Sequence, residues 1–415
     1  DVLLASGEQV ACALIAGRLK HLGYKARSWM SWQVPIITEG PHSASRISEI
    51  NKKEILKFKA ENCDELKNIY FYFIPKKRNK ILRKIWPPSY YWFYNNWQKK
   101  AFKLAGKLES IHNFDIMHQL NMVTFREPGY FYKFGKPFVW GPIGGLENAP
   151  FSYLTALGLK PLVYFGIKNI INYFDRIFII KNRKVFRNNN VSLISATKGN
   201  SDLIEKYWHK KSTIISEIGK INSYKPSLLT RANNSSIIIA WNGSLVPGKN
   251  LVLLLNSLSL INIPYELNVI GDGPLNSKWK IQAQKLNLKN IIWHGQVERK
   301  KAIEIMDKCH VLCITSIYDL TSTVLIEGLS LGLPIICLNH MGFKNVVNSE
   351  IGIKIPITNT NTSIVDFKNA IEHLYNNESL RKIMAKNSLK KSHEFSWKNI
   401  LLKTENVYKN LLNEK

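Results

Sequence analysis

The second half of the chain repeats one pattern: a short run of β-branched and aliphatic residues, a glycine- or hydroxyl-bearing turn, then a segment of helical period. IIIAWNG, LNVIGDGP, IIWHGQV, VLCITS and LPIICLN succeed one another in this way between residues 237 and 339. Short apolar runs separated by helices indicate a parallel, doubly wound α/β sheet, in which ligands bind at the carboxyl edge of the strands. The first half carries a looser version. FDIMHQLN and KPFVWGPIGG are strands ending in polar or glycine-rich text, VSLISAT is a later strand, and NIYFYFIP has strand composition. The polar passage SYKPSLLTRANNSS, residues 223–236, separates the halves as a linker, and HEFSWKNILLKTENVYKNLL closes the chain as an amphipathic helix.

Length and composition fit this reading. The 415 residues allow two or three domains, and 45% hydrophobic with 21% charged residues is globular rather than disordered. The formal net charge of +28 points towards nucleic acid, an anionic membrane or an anionic substrate. Only 12 of the 58 cations are Arg, however, and the text is rich in Asn and Ile, a mixture that low-G+C coding bias also produces, so only local clusters are informative. One cluster interleaves Lys76, Lys77, Arg78, Lys80, Arg83 and Lys84 with Trp86, Tyr90, Tyr91, Trp92, Phe93 and Trp97. It suits either an anionic membrane surface or a core helix with a solvated Lys face. No RNP, KH or helix-turn-helix pattern accompanies it, so no nucleic acid partner is expected.

The five cysteines, Cys12, Cys63, Cys309, Cys313 and Cys337, lack metal or redox spacing and read as small buried residues in a reducing cytoplasm, with no metal site. The most apolar stretch, FGIKNIINYFDRIFII, is broken by Lys, Asn, Asp and Arg. No membrane span and no signal peptide are expected.

Several positions are candidates for chemistry. Lys249 lies in the turn after IIIAWNG, where a cation can meet a diphosphate or simply face solvent. Gly271 and Gly273 follow a strand but lack the third glycine of a dinucleotide fingerprint, and a plain turn explains them equally. Gly295 ends another strand, where backbone groups can contact a base. His118, at a strand exit, is either a satisfied buried histidine or a functional one. Gly141, Gly144 and Gly145 either turn the chain or bring backbone N–H groups to an anion. The most specific feature is Asp319 with Glu327, with seven residues between them, the acid at a strand exit and the glutamate inside the next helix. Thr321, Ser322 and Thr323 form that helix's N-terminus, which favours phosphate, and a carboxylate one or two turns in can accept two hydrogen bonds from a ribose diol.

Residues from about 65 to 415 resemble the family 4 retaining glycosyltransferases. HQLN, FREPGY and PFVWGPIGG carry the resemblance in the first domain. G-x-L-V-P-x-K-N, I-G-x-G-P-L, the Asp319-to-Glu327 segment, E-G-L-S-L-G-L-P-I-I and F-S-W carry it in the second. The resemblance implies a GT-B fold, two Rossmann-like doubly wound domains facing a cleft, with the first incomplete. Its expected divisions are 49–220 for the acceptor side, 221–392 for the donor side and 393–415 for a helix crossing back near Trp397. It further implies a nucleotide diphosphate sugar as donor, with no cofactor required, and a hydroxyl acceptor such as a lipid-linked sugar. In such folds the leaving phosphate oxygen takes the acceptor's proton. By resemblance, Glu327 holds the ribose, Asp319 contacts the donor sugar and Lys249 neutralises the diphosphate. Leu320, Thr321, Ser322 and Thr323, with Gly243, Gly273 and Gly295, complete the donor site. His118 stands near the sugar as a catalytic residue, and Arg126, Gly144 and Gly145 line the acceptor side. Two departures stand out: Asp319 replaces the usual Glu, and Ser244 replaces an Arg that commonly precedes the lysine.

Residues 1–48 resemble something else. SGEQV, GYKARSW, WQVPI and HSASRI are similar to the amino-acid-kinase domain of aspartokinases, where the matching glutamate, here Glu8, helps hold the aspartate amino group. This segment stands where the first strand, glycine-rich loop and first helix of the glycosyltransferase are expected, and it reads as a fusion or artefact. The function expected is hexose transfer in cell-surface polysaccharide or glycolipid synthesis, by a cytoplasmic enzyme peripheral to the inner face of the membrane. The alternatives are an impaired relic that only binds nucleotide sugar and, more remotely, an aspartokinase.

Overall fold

The computed structural model describes residues 36–39, 46–50, 70, 72, 74–75, 81–82, 89–120, 122–188, 190–220, 226 and 235–413. Most of the aspartokinase-like segment with Glu8, the cations Lys76 to Lys80, Arg83 and Lys84 with Trp86, and most of the polar passage 223–236 lie outside the described residues. Within the first of these, β1 (Ile36–Glu39) and β2 (Arg46–Ile50) pair antiparallel. Strand β2 therefore runs through positions 48 and 49, where the change of composition suggests a boundary.

In the first α/β unit, helix α1 (Ser89–His112) precedes β3 (Met117–Gln119) and β4 (Phe138–Ile143). Helices α2 (Leu159–Phe178) and α3 (Ile180–Val185) lead to β5 (Val191–Ser195), α4 (Lys198–Trp208) and β6 (Thr213–Ile214). The four strands β3 to β6 are parallel and lie in chain order. Helix α1 forms because Tyr94, Trp97, Ala101, Ala105 and Leu108 recur at helical spacing and bury against Phe138, Trp140 and Phe125. The aromatic run thus divides: Tyr94 and Trp97 are core, the Trp97 indole donating to the Ile74 carbonyl at 2.7 Å, whereas Tyr91 and Trp92 remain exposed. Helix α4 starts where the Thr197 hydroxyl accepts from the Asn200 N–H.

The second unit is a six-stranded parallel sheet. Its strands are β7 (Ile237–Asn242), β8 (Tyr265–Ile270), β9 (Ile291–Gly295), β10 (Val311–Ile314), β11 (Ile335–Leu338) and β12 (Gly352–Ile355), in the order β12-β11-β10-β7-β8-β9. Every residue of β10 and β11 is buried, the state their unbroken apolar text requires once helices cover both faces. Those helices include α5 (Leu251–Leu258), α6 (Arg299–Met306), α7 (Thr323–Ser330), α8 (Met341–Val346), α9 (Thr360–Asn376) and α10 (Glu378–Ser392). From β7 the chain builds outwards through β8 and β9, then returns to lay β10, β11 and β12 on the other side. The order reverses between β7 and β10, and connections on either side of that point diverge to leave a crevice.

Helix α11 (Trp397–Asn413) joins the two units. Its Ile400, Val407, Tyr408 and Leu411 share a buried cluster with Ile116, Val139, Ile194 and Ile215 of the first unit. The Trp397 ring fills the space a Cβ on Gly219 would need, and the Lys220 N–H donates to the Phe395 carbonyl at 2.6 Å. Cys309, Cys313 and Cys337 are buried, and burial pushes the Cys313 and Cys337 thiols up, the latter to about 12. Among the described residues, no helix is long and apolar enough to cross a membrane.

Candidate active site

The site assembles at the switch point. Past β7, the 3-10 turn Pro247–Lys249 is fixed from behind: the Trp241 indole donates to the Thr315 hydroxyl at 2.9 Å, and that hydroxyl donates to the Lys249 carbonyl at 2.7 Å. The Ile317 N–H also donates to the Gly248 carbonyl at 2.9 Å. These bonds tie the loop after β10 to the turn after β7, and they bring the Lys249 ammonium onto the Asp319 carboxylate as an ion pair. The side chains are 23% and 18% exposed, so the pair lies at the mouth of the crevice rather than in the core.

Beside it, Glu327 sits in the second turn of α7. Arg299, at the start of α6, reaches one carboxylate oxygen with two nitrogens, Nε at 2.7 Å and Nη2 at 2.6 Å. Burial pushes the Glu327 carboxyl up, and the Arg299 guanidinium opposes that shift. The cation thus offsets part of the shift that burial imposes. Arg299 escaped the motif reading, although a signal was present: an arginine at a helix N-terminus opposes the helix dipole and implies an acidic partner.

Ser322 is the N-cap of α7, and no side-chain hydrogen bond caps the helix. The loop before it is braced by the Thr321 hydroxyl, which donates to Glu217 at 3.0 Å, and by the Gly342 N–H, which donates to the Leu320 carbonyl at 3.1 Å. The Leu320 side chain reaches across to the first unit, occupying the space a Cβ on Gly144 would need and lying beside Val123. Gly243, Gly271, Gly273 and Gly295 follow or end the neighbouring strands β7, β8 and β9. Gly273 has a steric reason, since a Cβ there would strike the Leu245 backbone, whereas the corresponding space at Gly295 is open.

The first unit supplies the opposite wall. Gly144 meets Leu320, and the space beside Gly145, at φ +83°, is open apart from the Phe125 ring edge. Arg126 does not extend freely towards an acceptor: its Nε pairs with Asp175 at 2.5 Å and its Nη2 bonds Asn172, so it clamps α2. His118 also departs from expectation. Its Nδ1 lies 2.5 Å from the Tyr408 hydroxyl and its Nε2 lies 2.8 Å from the Gly141 carbonyl, and burial lowers its pKa to about 4. Both ring nitrogens thus have partners within the chain, and they tie the edge of β3 to α11. No local pattern signals this contact, because Tyr408 is 290 residues away.

Three further residues at the cleft were not singled out from sequence. The Lys168 ammonium stands 3.7 Å above the Tyr318 ring, next to Asp319, and burial lowers its pKa. Glu147 accepts from the Thr197 hydroxyl at 2.9 Å and from the Asn200 amide at 3.1 Å, and burial raises its carboxyl. The His340 ring lies 3.1 Å from the Asn148 carbonyl, linking the units across the cleft. Among the described residues, no three His, Cys, Asp or Glu gather as a metal site requires.

Comparison with known proteins follows the same outline. Residues 230–391 match the family model of glycosyl transferases group 1. An uncharacterized glycosyltransferase of Methanocaldococcus jannaschii is 29% identical over 170 residues, 41% of this chain and 47% of the relative. The chain thus spans about half the length of that curated relative. The aspartokinase of Geobacillus stearothermophilus is 47% identical over 55 residues, 13% of this chain and 14% of the kinase. A glycosyltransferase structure from Rickettsia africae superposes with a TM-score of 0.61 at 14% identity, over 98% of this chain and 95% of that one. Anabaena HepE in complex with UDP gives 0.58 at 12% identity, over 97% and 96%. The two Rossmann-like units are those of the GT-B fold.

Proposed function

We propose that the chain is a retaining glycosyltransferase that moves a hexose from a nucleotide diphosphate sugar to a hydroxyl acceptor. One observation carries this reading: Lys249, Asp319 and the Arg299–Glu327 pair converge at the switch point of the second sheet, beside a helix N-terminus without a side-chain cap. All four residues fall within the stretch that matches the glycosyl transferases group 1 model.

In this reading the Glu327 carboxylate accepts from the ribose hydroxyls, with Arg299 holding it in place. The diphosphate meets Lys249 and the first N–H groups of α7, while Asp319 addresses the donor sugar and Gly243, Gly273 and Gly295 let backbone approach the nucleotide. The bond from the sugar anomeric carbon to the diphosphate oxygen breaks as one to the acceptor oxygen forms on the same face, and the acceptor's proton passes to the departing phosphate oxygen. Charge and protons balance without a protein nucleophile, and the protein's share is electrostatic stabilisation of the leaving group, orientation and exclusion of water. No cofactor takes part. A role in polysaccharide or glycolipid synthesis, a lipid-linked sugar acceptor and a cytoplasmic, membrane-peripheral location belong to the same proposal, as do domain limits near residues 220 and 392.

A donor panel read by nucleotide release tests it. Asp319→Ala and Glu327→Ala each abolish turnover, and full activity in either variant overturns the assignment. The aspartokinase-like stretch favours a second reading, a relic that binds nucleotide sugar without turning it over. Binding without nucleotide release for any acceptor distinguishes it, and ATP-dependent formation of aspartyl phosphate would mark a kinase.

A further inference from the structure

Helix α2 turns a largely polar face inwards. Its polar residues face the protein: Asn172 and Arg176 are buried, Asn172 donates to the Gly145 and Glu147 carbonyls at 3.4 Å, and Arg176 reaches Asn148 at 3.0 Å. Asp175 is held by Arg126, and Asn169 donates to the Ala149 carbonyl at 2.8 Å. Phe165 is buried and Leu162 partly so, but most of the other large apolar residues point outwards. Leu159, Val163, Ile167, Ile170, Phe174 and Phe178 lie on one side of the helix, each between 49% and 75% exposed. Because the polar face is consumed in specific hydrogen bonds to the cleft wall, the helix cannot roll to bury its apolar face without breaking them. A contiguous exposed apolar face of this kind marks an interaction surface.

The charge around the face selects the occupant. Lys160 stands exposed at its start, and Arg183, Lys184 and Arg187 stand exposed just beyond its end, where Lys181 is paired with Glu127. The sole acid between residues 159 and 187 is Asp175, already paired. At that basic end, a cavity of about 280 Å³ is lined by Arg176, Arg183 and Arg187 with Tyr207 and Trp208. An apolar helical face flanked by cations and free of exposed acids complements the interface of an anionic bilayer: side chains enter the acyl boundary and cations meet phosphates. A basic or neutral protein surface lacks that complementarity, and so does a second copy, whose own face is equally basic.

We infer that α2 lies flat in the headgroup region of an anionic membrane and docks the first unit on it. The surface also has a consequence for the site, because Phe165 and Lys168 of the same helix touch the Tyr318 ring beside Asp319. Docking through α2 sets the cleft next to the lipid surface. The inference deepens the membrane-peripheral part of the reading above by naming the surface, and it stands apart from the transfer reaction because it is read without donor or acceptor.

Flotation with phosphatidylcholine vesicles, with and without phosphatidylglycerol, tests it. The wild-type chain floats with the anionic vesicles, and the double variant Ile170→Asp, Phe174→Asp binds them at least about tenfold more weakly. UDP binding and the thermal melt of that variant stay at wild-type values, which separates lost docking from lost folding or a failed transferase reading. The variant Lys99→Ala, Lys100→Ala on α1 retains vesicle binding. Absence of wild-type binding, equal binding to neutral vesicles, or loss in the α1 variant with retention in the α2 variant each overturns the assignment. So does a dimer in sedimentation that the α2 variant dissolves.

Discussion

Replacing Asp319 by Asn removes the negative partner of Lys249 and leaves the shape of the loop nearly unchanged. In the unliganded chain the Lys249 cation is already neutralised by Asp319, so a nucleotide diphosphate must compete with that carboxylate for it. Two unit charges about 4 Å apart at an effective dielectric near 20 attract by about 4 kcal/mol. The side chains are 23% and 18% exposed, and solvent screening with desolvation reduces the net value to about 1 kcal/mol. Asp319→Asn should therefore tighten binding of UDP about fivefold while it slows transfer, because the sugar-side carboxylate is lost. Affinity and turnover then move in opposite directions. Calorimetric titration with UDP and initial rates of nucleotide release measure the two on one preparation. Lys249→Ala weakens UDP binding, and in the double variant the gain from Asp319→Asn disappears. If Asp319→Asn weakens UDP binding as well as transfer, Asp319 is a direct ligand of the nucleotide and the competition argument fails.

Two further outcomes concern pH. The buried Glu327 carboxyl is raised above its unfolded value, so its contribution to stability is full at acid pH and is lost as pH rises through the folded pKa. Arg299→Met removes the opposing cation and raises that pKa further, so the variant's melting temperature should fall below wild type towards neutral pH and converge with it in acid; a constant offset across pH would contradict this. His118 behaves in the opposite sense: its folded pKa of about 4 lies below the unfolded value of about 6.5, so the native state loses stability as pH falls between those values. In His118→Asn the melting temperature should depend less on pH across that window, and an unchanged slope would show that another group is responsible.

The second unit was legible because its information is local. Each fully apolar strand between residues 237 and 355 announces a sheet covered on both faces, and the spacing from Asp319 to Glu327 places an acid at a strand exit and a glutamate on the next helix whatever surrounds them. The first half was less legible. The aromatic run around Trp97 reads equally as surface or core, and only packing against Phe138 and Trp140 separates Trp97 from the exposed Trp92. The partners of His118 were hidden for a related reason, since proximity to a strand exit says nothing about a tyrosine arriving from the last helix.

Strand burial and turn chemistry act over a few residues, so the residues alone dictate the parallel sheet of the second unit, the position of its switch-point loops and the identity of the charged groups on them. Tertiary structure alone decided which charges meet: Lys249 with Asp319 across 70 residues, Arg299 with Glu327 across 28, and Arg126 with Asp175 across 49. It also decided that α2 faces inwards with its polar side. A hydrophobic pattern fixes that a helix has two faces, but the face that turns inwards depends on which partners the fold supplies, and here those are the carbonyls and amides of the cleft wall.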